Sequence, residues 1–192
     1  MGLADAALAE MVDRVASAEP TPGAGPSLAW TCAFAAALVE MVCAVSLGQQ
    51  PDDPSPVEER RARAKELRLG ALSLADTDAA AYREVLEVQR RRAEPGHAGR
   101  LRGALHAAAD PLVAIIESAG EVTRLAADAA GQARGGVRGE AMTAAGLGEA
   151  VVQAGIPLVE LNLGGERADP RLTRIQLIAR DASSDRQRAL GR

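Results

Sequence analysis

Leu3, Ala7, Met11 and Val15 recur every four residues, the spacing of one helix face, and predict an amphipathic helix over residues 1–16. The run Glu19-Pro20-Thr21-Pro22-Gly23-Ala24-Gly25-Pro26 closes it, since so dense a set of prolines and glycines cannot continue a helix. A second helix opens at Pro26 or Ser27 and extends to Leu47, apolar on nearly every face, which places it at the centre of the protein. Gly48 to Pro56 reads as a polar loop. Val57 to Arg92 then reads as one long helix, with a break expected near Gly70. Its stripe Leu67, Ala71, Leu74, Asp78, Ala81 and Val85 is apolar except for Asp78. Pro95-Gly96 ends that helix. From Ala98 a seam of Leu101, Leu105, Ala108, Leu112, Ile115, Ala119, Val122 and Ala126 follows, with a kink expected at Pro111. Gly131, Gly135 and Gly136 mark a loop, and Val137, Ala141, Ala144, Gly148 and Val151 a short helix packed through small residues. Pro157 permits a fresh helical start, and Pro170 to Ala182 carries Leu172, Ile175 and Ile178. The last ten residues are polar and are expected to fray. No internal repeat is present.

Composition strengthens the helical reading. Apolar residues make up 47% of the 192, yet aromatics only 2%, with one Trp, one Tyr and one Phe. The core is therefore built from Ala, Leu and Val, and Ala is the best intrinsic helix former. Strand signals are scarce. The expectation is an all-α, single-domain bundle over residues 1–192, of roughly five to seven helices around a central buried Ala-rich helix.

Net charge is −4 and the basic residues are interleaved with acids, so neither composition nor charge pattern supports nucleic-acid binding. The tight run Arg90-Arg91-Arg92 suits a helix C-terminus. Leu28 to Leu47 is long enough to span a bilayer, but it contains Glu40 and is dominated by Ala, so a core helix is expected and no membrane role. The first residues lack the pattern of a signal peptide. Cys32 and Cys43, eleven residues apart on one helix, would be separated by about 16 Å. They read as buried free thiols in a cytoplasmic protein.

The loop Pro20 to Ser27 carries the best candidate chemistry, because it opens onto a helix N-terminus where free N–H groups and the helix dipole favour an anionic or carbonyl-bearing ligand. A plain interhelical turn is the competing reading; the loop lacks a P-loop lysine. Asp78 needs a partner or a task on its apolar stripe, and a structural acid paired with an arginine or a helix end is an equal alternative. His97 reads as an exposed loop residue and His106 as a hydrogen-bonding residue at the core edge. Trp30 reads as core, with stacking on a ligand ring as the alternative. No His, Cys or carboxylate pair has metal-ligand spacing, so no metal is expected.

The segment Ala16 to Leu47 resembles the opening of the formiminotetrahydrofolate cyclodeaminase/methenyltetrahydrofolate cyclohydrolase family, with its PTPGGG-type loop and small-residue helix. Asp78-Ala79-Ala80-Ala81-Tyr82 resembles the family's D-x-x-A-F/Y element, Ala107 to Leu112 its A-x-x-x-P-L element, and Leu158 to Leu163 its NV-x-INL close. The chain departs at Gln49 and Gln50, where the family has lysines, and at Arg91 and Arg92, in place of a P-K pair. It departs again at Ala133-Arg134 and Gly139-Glu140, in place of G-N and S-D.

The resemblance implies an all-α homodimer with a groove for a tetrahydrofolate carrying a one-carbon unit between N5 and N10, and no cofactor beyond that folate. It further implies Asp78 and Glu140 as acid/base residues, and Thr21, Pro22, Gly23, Ala24, Gly25, Trp30, Tyr82 and Asn162 around the substrate. The alternative is an inactive or repurposed helical homologue that binds a small molecule or a protein.

Overall fold

A computed structural model describes residues 7–133 and 135–191. Leu3 and Arg134 lie outside the described residues. The fold is all-α: α1 (Leu8–Ala16), α2 (Ala24–Gly48), α3 (Ser55–Arg90), α4 (His97–Gln132), a short 3₁₀ turn (Gly135–Val137), α5 (Arg138–Asn162) and α6 (Pro170–Leu190). Helix α2 packs against α3, α4 and α5, and α4 packs against α3, α5 and α6. Ala29, Cys32, Ala35, Ala36, Val39, Val42 and Cys43 of α2 are all but inaccessible, so the Ala-rich helix is central, and both cysteines are buried and unbridged. Two helices, α2 and α5, are long and apolar enough to cross a membrane, but each packs against several others in the bundle.

Small residues set the interhelical distances. A Cβ at Gly148 would lie 2.4 Å from Thr123 Oγ1 and 3.0 Å from the Ala119 carbonyl, and one at Gly155 would lie 2.7 Å from Ile116. Helices α4 and α5 therefore approach more closely than larger residues would allow.

Several boundaries differ from the sequence reading. Helix α3 runs through Gly70, where an added Cβ would meet nothing within 4 Å, so the glycine costs only its weak propensity. Helix α5 runs through Pro157. Pro157 and Gln153, whose carbonyl the ring deprives of a donor, are both exposed residues, on the side of the helix where a missing intrahelical bond costs least. Helix α6 persists to Leu190 instead of fraying, because its polar tail is tied down: Arg188 bonds Asp128 of α4 at 2.6 Å, Ser183 bonds Glu149 of α5 at 2.8 Å, and Ala182 and Ala189 are buried. His97 is the first residue of α4 and half-buried, not an exposed loop residue. On α1 only Met11 is buried, while Leu8, Val12 and Val15 face outward.

Two alanine substitutions on α5 should act in opposite directions. Gly146 has open space around its Cα, so Gly146→Ala is expected to stabilise by about 0.5–1 kcal/mol through helix propensity. Gly148→Ala drives a methyl into Thr123 and should destabilise by about 1–3 kcal/mol. Urea unfolding of both variants checks the pair.

Candidate functional site

Four elements meet at one end of the bundle around a cavity of about 410 Å³, a volume typical of small-molecule sites. The loop before α2 and its first turn contribute Thr21, Gly23, Ala24 and Gly25; α3 contributes Asp78, Tyr82, Val85 and Gln89. Leu105, Ala108 and Leu112 of α4 and Leu158, Leu161 and Asn162 of α5 close the other sides. Because α2 starts here, α3 ends, α4 starts and α5 ends, consecutive helices run in opposite directions.

The loop is fixed locally. Ser27 bonds the Gly23 carbonyl through both its hydroxyl (2.8 Å) and its backbone N–H (3.2 Å), closing the first turn of α2, and the Thr21–Pro22 peptide is cis. No side chain caps α2, so the N–H groups at its very start are left for a ligand.

Asp78 is the electrostatic centre of the cavity. It is 9% exposed and, among the described residues, has no hydrogen-bond or ion-pair partner. Its carboxylate lies directly against Gly25, where any Cβ would come within 2.1 Å of Oδ2 and 2.4 Å of Oδ1. The glycine is what lets α3 bring an acid to the start of α2. Burial raises the carboxyl from the usual 3.8 to about 6, because the charged form loses its hydration. Of the two structural alternatives for Asp78, no arginine holds it among the described residues, whereas a helix end, the first turn of α2, does lie against its carboxylate.

Of the substrate-side residues expected from the sequence, Thr21, Gly23, Ala24, Gly25, Tyr82 and Asn162 line the cavity together with Asp78. Pro22 is buried beside it without lining it. Trp30 is 7% exposed, does not line the cavity and belongs to the core. Glu140 does not join Asp78 within the chain. It sits in the first turn of α5, whereas Asn162 at the far end of the same helix lines the cavity; 22 residues of α-helix separate them by about 33 Å. Gln49, Gln50 and Ala133, three positions at which the chain departs from the family pattern, line a second cavity of about 590 Å³ at the other end of α2.

Gln89, Val85, Leu105, Leu158 and Leu161 line the cavity but were not among the site residues read from the sequence. Gln89 lies four residues past Val85, the last position of the stripe that carries Asp78, and was legible in that periodicity. The leucines share their seams with core residues, and apolar patterning does not separate a cavity wall from a packed interior.

An all-helical bundle with a partnerless buried acid in a ligand-sized cavity defines a small-molecule-binding or catalytic domain. The sequence profile of the formiminotransferase-cyclodeaminase family matches residues 7–174; the chain belongs to that family. Its fold is similar to that of formiminotetrahydrofolate cyclodeaminase from Thermotoga maritima, with a TM-score of 0.83 and 23% identity over 97% of this chain and 95% of that one. No curated protein is a significant match.

Asp78 also sets a pH dependence. With its pKa raised in the fold, the native state holds the proton to higher pH than the unfolded chain, so stability falls as pH rises from 3.8 through about 6. Below that window the effect vanishes. Above it, Asp78→Asn should be more stable than the unmodified protein by up to about 3 kcal/mol, and the two should match near pH 3. Denaturant unfolding at both pH values measures the difference.

Proposed function

We propose that this chain is a folate-dependent one-carbon enzyme, a cyclodeaminase (ammonia lyase) or cyclohydrolase acting on a tetrahydrofolate derivative. The observation that carries the reading is Asp78, a partnerless carboxyl titrating near pH 6 inside a cavity beside the uncapped start of α2. A general base works best with a pKa near the operating pH. In the deaminase reaction N10 attacks the carbon of the protonated formimino group (C=NH2+), the C–N10 bond forms and the carbon–NH2 bond breaks to leave the methenyl cation. Asp78 takes the proton from N10 and passes it to the departing ammonia. In the cyclohydrolase reaction the same carboxylate draws a proton from the water that adds to the methenyl carbon, and returns it to N5 as the C–N5 bond breaks and the formyl group stays on N10. Tyr82, Gln89 and Asn162 supply hydroxyl and amide groups to orient the folate, and the leucines of α4 and α5 exclude water. No further cofactor is required.

We read the working unit as a cytoplasmic homodimer. Phe34, Met41 and Val45 of α2, exposed at 52%, 37% and 39%, share one helix face with half-buried Leu38 and give a second copy an apolar surface to cover. Glu140, about 33 Å along α5 from the cavity, reaches a folate only if a second copy brings it there. That separation favours a second reading, a binding homologue without turnover.

Titration of the purified protein with 5-formiminotetrahydrofolate and, separately, with 5,10-methenyltetrahydrofolate, following thermal stabilisation and loss of each compound, separates these readings. The enzyme reading expects stabilisation with turnover that rises with pH through about 6, and a loss of about 10²–10⁴-fold in Asp78→Asn with stabilisation retained. Stabilisation without turnover supports the binding homologue. Neither effect in folded protein overturns the folate assignment. Glu140→Gln should lose activity on its own if Glu140 acts across a dimer, and mixing it with Asp78→Asn should then restore part of that activity; if Glu140 has no role, Glu140→Gln alone stays fully active.

A further inference from the structure

Beyond the cavity, the fold assembles a cluster that sequence spacing concealed. His106 lies on α4, one residue past the cavity-lining Leu105. The loop from α5 to α6 turns through Gly164 and Gly165, whose φ angles of 59° and 86° require glycine or something like it, and brings Glu166 and Asp169 to that face of α4. One ligating atom from each of His106, Glu166 and Asp169 lies within 4.8 Å of the others. His106 Nε2 stands 3.6 Å from Glu166 Oε1, shut off from solvent and without a hydrogen bond. A buried polar atom left in that state is costly unless something occupies it.

Arg171 holds the cluster in place. Its Nε and Nη2 donate to the two oxygens of Asp169 at 3.0 and 2.8 Å, and its Nη1 donates to Asp110 at 2.6 Å and to the His106 carbonyl at 2.9 Å. Asp169 Oδ1 also accepts the Arg171 backbone N–H, whereas Oδ2 accepts a single bond and keeps a lone pair. Asp110 and Asp169 share the one guanidinium of Arg171, while Glu166 stands against the imidazole of His106.

We infer that His106 Nε2, Glu166 and Asp169 form a site for a divalent transition cation of the zinc type, with water completing the shell. One imidazole and two carboxylates suit zinc, whereas magnesium and calcium prefer oxygen alone. Ligand atoms around zinc sit closer than 4.8 Å, and Glu166, with a side chain 52% exposed, is free to swing inward. The ion fastens the loop after Asn162 to α4 and so braces the rim of the cavity; this site is independent of the folate assignment.

The chain contains only two histidines, which makes the test direct. The full protein, stripped with EDTA, is titrated with zinc sulfate while binding heat and the imidazole NMR signals are followed. Saturable binding of one equivalent is expected, with His106 signals shifting and His97 signals staying, and with a higher melting temperature. His106→Gln and the exposed Glu166→Gln should each weaken binding at least tenfold, and His97→Gln should leave it unchanged. No saturable binding to the folded protein, equal shifts at both histidines, or unchanged affinity in both site variants would overturn the assignment.

Discussion

The approach of α3 to the first turn of α2 rests on the absence of a side chain at Gly25. Asp78 occupies the volume that a Cβ would fill, with its oxygens 2.1 and 2.4 Å from that position. From this contact follow the burial of the carboxyl, its retention of a proton to about pH 6, and the opening between α2, α3, α4 and α5 that becomes the cavity. An acid on an otherwise apolar stripe would weaken a helix that served packing alone. Here the same acid gives the cavity its one titratable group in the neutral range.

The rest of the bundle serves this geometry through small residues. Alanines along α2 and glycines on α5 let the central helices lie close, as Gly148 does against Thr123. Close helices leave little interior volume, so the ligand-sized space appears where the helices end and their walls diverge. Ion pairs at the periphery, such as Arg68 to Glu40 at 2.5 Å and Arg63 to Glu121 at 2.7 Å, tie α3 to α2 and α4 but are partly exposed and contribute modestly.

Much of this was readable in the sequence. The helical class follows from the periodicity and the scarcity of aromatics, the central helix from its unbroken apolar character, and Asp78 from the stripe it interrupts. The PTPGAG loop and Asn162 carry the family resemblance, and both meet Asp78 at the cavity. What sequence patterning misjudged has physical causes. Proline and glycine were read as breaks at Pro157 and Gly70, yet an exposed position and open space make both tolerable inside long helices. The polar end of α6 was read as frayed because its partners, Asp128 and Glu149, belong to other helices. Glu140 was grouped with Asp78 by resemblance alone, and only the direction and length of α5 reveal that they occupy opposite ends. His106 shows the same limit, since Glu166 and Asp169 reach it only through the fold.

The central claim is that the cavity holding Asp78 receives a reduced folate. The chain has one tyrosine, one tryptophan and one phenylalanine, so three rings report from three places: Tyr82 at the cavity, Trp30 in the core and Phe34 on the outer face of α2. The most direct measurement is the set of intermolecular nuclear Overhauser effects between these rings and a stable reduced folate bearing a one-carbon unit on N5. Contacts from the folate to Tyr82, with none to Trp30 or Phe34, are the result this account predicts. Binding with contacts to Phe34 alone, or no binding to the folded protein, would contradict it.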